Sequence, residues 1–97
     1  MVGVGHSAVR RIILLGSRAR GDARADSDWD VLILTAPMLA SEREELRSLL
    51  YRALEGVGGA VDIRLMSEDA FEESKDVVGG IAYPAAREGV VLHPHSG

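Results

Sequence analysis

The chain has 97 residues, with 11 Lys and Arg against 15 Asp and Glu and a formal charge of -4, which bounds it to one domain over residues 1–97. At 46% hydrophobic and 27% charged, with no cysteine, it reads as an ordinary globular domain. A disordered chain, a disulfide scaffold and a Cys-ligated zinc site are excluded. The apolar runs are far too short for a membrane span and residues 1–11 carry no secretory pattern, so a cytoplasmic location is expected.

Gly3 and Gly5 make residues 1–10 a poor helix. The apolar run Ile12–Leu15 is too short for a helix and begins with β-branched residues, which predicts a buried strand over Arg11–Leu15. Residues 16–27 mix glycine, small and charged residues and read as a loop with one helical turn. Asp28–Thr35 is the second strand, closed by Pro37. Ser41 and Glu44 have the spacing of a capping box, and Leu46, Leu49, Leu50, Ala53, Leu54 and Val57 recur as the apolar stripe of the helix behind it. Gly56, Gly58 and Gly59 end that helix. Ala60–Met66 alternates as a third strand, with Val61, Ile63 and Leu65 on one face and Asp62 and Arg64 on the other. Ser67 caps a short helix over residues 68–73. A last helix over Val77–Glu88, weakened by Gly79, Gly80 and Pro84, stops at Gly89 before a final strand over Val90–His93. Strands alternating with helices predict an α/β (α+β) fold, a small mixed sheet with helices packed on it.

Charge is unevenly distributed. Residues 10–24 hold five arginines against Asp22, a balance of +4, and Asp26, Asp28 and Asp30 follow at once. Residues 42–76 hold ten acids and five bases. A basic loop beside clustered carboxylates suits a small polyanion held with a metal ion, although a solvated surface explains the charges equally simply. The overall acidity argues against gripping a long nucleic acid.

Residues i and i+2 of a strand share a face, about 6.5–7 Å apart, so Asp28 and Asp30 repel each other unless a cation lies between them. Mg²⁺ suits such a pair, because it takes oxygen ligands and commonly one or two carboxylates plus substrate phosphates. If the second and third strands are neighbours, Asp62 joins the cluster, which is then able to hold two metal ions for in-line phosphoryl or nucleotidyl transfer. Asp-x-Asp alone is a weak signal, and Asp26 with Asp28 offers a second pair. Strand phase favours Asp28 and Asp30, since Trp29, Val31 and Ile33 then form the opposite, apolar face. Directly after the first strand, Gly16 lets a phosphate approach the backbone, and the Gly16–Ser17 turn offers N–H groups and a hydroxyl. Arg20 adds a forked, charge-assisted contact to phosphate oxygens. Arg64 shares a face with Asp62 and pairs either with it or with a phosphate. His6, His93 and His95 lack metal-ligand spacing, and nothing marks Tyr51 or Tyr83 as an acceptor.

The segment Gly16–Asp30, GSRARGDARADSDWD, resembles the signature of the minimal nucleotidyltransferases of the DNA polymerase β superfamily: Gly-Ser, ten residues, then Asp-x-Asp. Asp62 in VDIRL matches that family's third acid and AREGVVLH (Ala86–His93) its usual ending, so the resemblance runs from about Arg11 to His93. It implies a nucleotidyltransferase fold of the polymerase β type. It also implies that Gly16, Ser17 and Arg20 hold the terminal phosphates of ATP. Asp28, Asp30 and Asp62 are then the catalytic acids and the ligands of Mg²⁺, two ions when nucleotide is bound. Trp29 replaces a smaller aliphatic residue. Only residues 1–10 stand where the family commonly has a fuller helix, which leaves the packing of one sheet face short.

The chain has room for the nucleotide half of such a reaction, so the acceptor is expected on another chain or a second copy, as a homo- or hetero-oligomer. Members of this family act as antitoxins of HEPN-domain proteins, transferring AMP to a tyrosine of the partner, and the resemblance implies that role here. The competing readings are a catalytically silent module that neutralises its partner by contact, and nucleotidyl transfer to RNA or a small molecule.

Overall fold

The computed structural model describes residues 8–24 and 27–94; the readings placed on residues 1–7, Asp26 and His95 lie outside them. Four strands form one mixed sheet: β1 (Val9–Leu15), β2 (Trp29–Thr35), β3 (Val61–Ser67) and β4 (Val90–Pro94), in the order β3-β2-β1-β4. The β1 strand is antiparallel to both β2 and β4, whereas β2 and β3 are parallel. The intervening helices are α1 (Gly16–Arg20), α2 (Ala40–Ala53), α3 (Glu68–Ser74) and α4 (Ala82–Glu88). The α/β expectation is met, and no helix among the described residues is long and apolar enough to cross a membrane.

The central strands are apolar on both faces because both are covered. On one face Leu14, Val31, Ile33 and Ile63 pack with Leu46 of α2. On the other, Ile13, Leu15, Leu32 and Leu34 pack with Phe71 of α3 and Ala82 and Ala85 of α4. The described residues leave the face under α2 incompletely filled: an apolar hollow of about 470 Å³ is lined by Ile12, Leu14, Trp29, Leu50, Leu54 and Val57 among others.

The edge strand β3 is guarded by α2. The Ile63 N–H donates to the Tyr51 hydroxyl at 3.0 Å, and Arg47 Nη1 donates to the Ile63 carbonyl at 3.1 Å. These contacts occupy backbone groups that an unprotected edge would offer to another chain.

Three local expectations are corrected. The α2 helix begins earlier than the Ser41–Glu44 spacing predicts. Leu39 is its N-cap and donates its N–H to Glu42 Oε1 at 2.9 Å, while Glu44 lies beside Arg47 at 3.8 Å. A leucine side chain accepts no hydrogen bond, so only the glutamate half of the reciprocal cap is made. Leu49 of the predicted stripe is 45% exposed, since Leu46 and Leu50 already fill the strip facing the sheet. The last helix is shorter than predicted, because residues 75–81 form turns around Gly79 and Gly80 and α4 starts at Ala82. Pro84 then falls in the first turn, where its missing N–H breaks no intrahelical bond. Ser67 caps α3 as read, accepting from the Ala70 N–H at 3.1 Å.

Gly89 allows α4 to lie directly on β1. A Cβ there would overlap Ile13 Cγ2 and stand 2.6 Å from the Ala85 carbonyl oxygen. Gly89→Ala is expected to destabilise the fold by about 1–3 kcal/mol, the usual range for overpacking, measured as a lower urea midpoint with an unchanged slope.

Candidate functional site

A cleft of about 350 Å³ opens where β1 ends and β2 and β3 begin, beside α4. Gly16 and Arg20 reach it from α1, Asp30 from β2, Asp62 and Arg64 from β3, and Ile81, Pro84 and Glu88 from α4 and the residue before it. The chain turns into α1 through Gly16 at φ 73°. A Cβ on Gly16 would lie 2.8 Å from Asp30 Oδ2, so the carboxylate rests directly against the bare Cα.

The parallel register pairs Asp30 with Asp62 and Leu32 with Arg64. Paired strands run about 4.8 Å apart, so the two carboxylates are cross-strand neighbours on the face bordering the cleft. Asp62 Oδ2 lies 3.5 Å from Arg64 Nη2, and Asp22 Oδ2 lies 3.6 Å from Arg20 Nε; all four side chains are more than half exposed. The carboxylates of Asp30 and Glu88 have no hydrogen bond or ion pair among the described residues.

Of the six residues singled out in the sequence, Gly16, Arg20, Asp30 and Asp62 meet in this cleft, and Ser17 and Asp28 are not among its lining residues. Asp28 is exposed and stands one residue before β2. The Ser17 carbonyl closes the end of α1, accepting from the Gly21 N–H at 3.0 Å and the Asp22 N–H at 3.2 Å. No three Asp, Glu or His side chains among the described residues are grouped closely enough to hold a metal ion. The Asp30–Asp62 pair, hard oxygen donors bordering the cleft with the Asp30 carboxylate against Gly16, fits a divalent ion that takes its remaining ligands from a phosphate and water. A second ion would draw on Asp28.

Trp29 lies on the face opposite the acids, as strand alternation predicts, packed against the cluster under α2. Its indole N–H donates to the Gly58 carbonyl at 2.6 Å, and the Arg18 guanidinium stacks over its ring at 4.0 Å from the centroid. Arg18 Nη2 also donates to the Ser27 carbonyl at 2.8 Å and the Gly58 carbonyl at 3.3 Å. The first arginine after Gly16 therefore ties the loop after α1 to the turn after α2, and the second is the one in the cleft.

Sequence reasoning missed Glu88 as a cleft residue. Its place depends on α4 crossing β1, which no local pattern encodes. Arg64 was legible, since the alternation of β3 puts it on the face of Asp62.

A family model described as a nucleotidyltransferase domain matches residues 5–82. The fold is similar to a crystal structure of a toxin-antitoxin with AMP-PNP, at a TM-score of 0.58 and 22% identity, covering 97% of this chain. This chain spans 66% of the length of that one. A comparison with curated proteins returned no match. The nucleotidyltransferase fold expected from the sequence is the fold observed.

Replacing Gly16 by alanine is expected to force a side chain into left-handed backbone and against Asp30. We expect a loss of about 1–2 kcal/mol, read by thermal denaturation, with loss of any ligand that needs Asp30 in its present place.

Proposed function

The chain belongs to the nucleotidyltransferase domain family, and from that premise we propose that it transfers AMP from ATP, with Mg²⁺, to a hydroxyl of a partner protein. The observation that supports this reading is the convergence of Gly16, Arg20, Asp30 and Asp62 on one cleft. The Gly16–Ser17 turn offers its backbone to the triphosphate, and Arg20 exchanges its loose contact with Asp22 for a phosphate. Asp30 and Asp62, with Asp28 brought in, would hold Mg²⁺, which when bound neutralises the triphosphate and the departing pyrophosphate. The acceptor oxygen bonds to the α-phosphorus as the bond from that phosphorus to the bridging oxygen breaks. The hydroxyl proton passes to the Asp62 carboxylate, and pyrophosphate leaves.

The similar structure is a toxin-antitoxin with AMP-PNP, and that description brings the antitoxin role to this chain as part of the proposal. The acceptor is then a tyrosine of a HEPN-domain toxin, presented by the partner because the cleft is open. Use of ATP fits a cytoplasmic location. The competing reading, neutralisation by contact alone, is favoured by two observations: Asp62 is already paired with Arg64, and no three-ligand group is assembled among the described residues.

Label transfer decides between them. With Mg²⁺ and ATP labelled at the α-phosphate, wild type is expected to label one protein in a lysate of the source organism. Asp30→Asn combined with Asp62→Asn is expected to abolish the band while leaving the unfolding midpoint in place. Asp28→Asn alone is expected to abolish it too, if Asp28 swings into the metal site. Toxin neutralisation that survives loss of the band would establish the contact reading.

A further inference from the structure

The cleft holds two arginines, and each rests in a loose pair with an aspartate two residues away in sequence: Arg20 with Asp22 and Arg64 with Asp62. The first pair lies on the phosphate side and Asp22 has no part in the proposed chemistry. The second is different, because Asp62 is one of the acids that the proposed reaction requires.

Arg64 has no packing reason to be where it is. Its register partner on the cleft face is Leu32, which is fully buried, yet the Arg64 side chain is 59% exposed and turns toward Asp62. Asp62 and Asp30 are cross-strand neighbours, and like charges placed opposite one another destabilise a sheet. Arg64 is the one cation in contact with either carboxylate among the described residues. It therefore supplies a counter-charge beside the acid pair. The pair is made to be broken: at 3.5 Å it is longer than a close charge-assisted hydrogen bond, and both side chains are more than half exposed. Exposed ion pairs of this kind hold weakly.

We propose that Arg64 is a tethered counter-ion that Asp62 exchanges for a divalent cation, the released guanidinium then pairing with the phosphates of the nucleotide. The inference rests on the reading of the cleft as a nucleotide site. It gives Arg64 two roles of opposite sign. Toward a bare divalent ion it is a competitor for Asp62. Toward a metal–nucleotide complex it is a ligand, since a guanidinium freed inside a cleft that receives an anion presents a fork matched to phosphate oxygens. Arg64 is thus a positioning residue for Asp62 before the nucleotide enters and a binding residue afterwards.

Two affinities test this. Mn²⁺ binding to the nucleotide-free protein is followed by electron paramagnetic resonance, and AMP-PNP binding in Mg²⁺ by calorimetry. Arg64→Ala is expected to bind Mn²⁺ about two- to fivefold more tightly, the span of an exposed ion pair, and AMP-PNP roughly tenfold more weakly. Arg64→Lys, which keeps the charge without the fork, is expected to fall between on both. Equal Mn²⁺ affinity in wild type and Arg64→Ala, or two shifts in the same direction, would overturn the exchange while leaving the nucleotide site standing. Wild type that binds neither probe would overturn both the exchange and the nucleotidyltransferase reading.

Discussion

The parallel pairing of β2 with β3 is the constraint on which the site depends. It sets Asp30 beside Asp62, and a slip of one residue would turn Asp62 and Arg64 onto the face that α2 covers. Burial prevents the slip. Ile63 is buried with Val31 and Ile33 under α2, while the other face of β3 carries the exposed Asp62 and Arg64, so the register is fixed from the α2 side. Tyr51 and Arg47 add a second hold, because they bind the backbone of Ile63, the residue next to Asp62. The core thus sustains two neighbouring carboxylates that would otherwise move apart, and it does so from the face away from the cleft.

Those holds explain what the amino-acid pattern could and could not disclose. Strand phase was legible because apolar residues alternate with Asp30, Asp62 and Arg64, and the same alternation forces the acids outward. The Gly-Ser turn was legible as a close approach to bare backbone, read there as that of a phosphate, and the group found against Gly16 is the Asp30 carboxylate, 2.8 Å from a would-be Cβ. Asp28 shows the limit. Its spacing from Asp30 predicts a shared site, yet Asp28 is exposed and does not line the cleft. Glu88 shows the other limit, since helix crossing is set by Gly89 and Ile13 meeting across the fold. The start of α2 escaped for a smaller reason: Glu42 serves Leu39, and a leucine is not a residue that cap preference singles out.

Trp29 changes how the basic loop is understood. Counted by charge, the arginines from Arg10 to Arg24 look like one patch for a polyanion. By contact they divide. Arg18 lies over the indole and holds the carbonyls of Ser27 and Gly58, so its charge is committed to structure. Arg10 lies 3.9 Å from Glu68 at the start of α3. Arg20 is left as the cation of this loop that lines the cleft. The local surplus is therefore a poor measure of affinity for phosphate, and the one large aromatic residue in the motif is what sorts the arginines.

That sorting bears on how the cleft works with its neighbours. Arg18 and Trp29 join the loop after α1 to the turn after α2, so the α1 side of the cleft is braced to the helix that also guards β3. The acid pair and the Gly16 cradle are consequently carried on one braced unit. The side chains of Arg20, Arg64 and Asp28 are exposed. Arg20 pairs with Asp22 and Arg64 with Asp62, exposed groups whose contacts are individually weak. On the proposed reading, a metal-bound triphosphate would meet several of these pairs at once, which an isolated anion or cation would not.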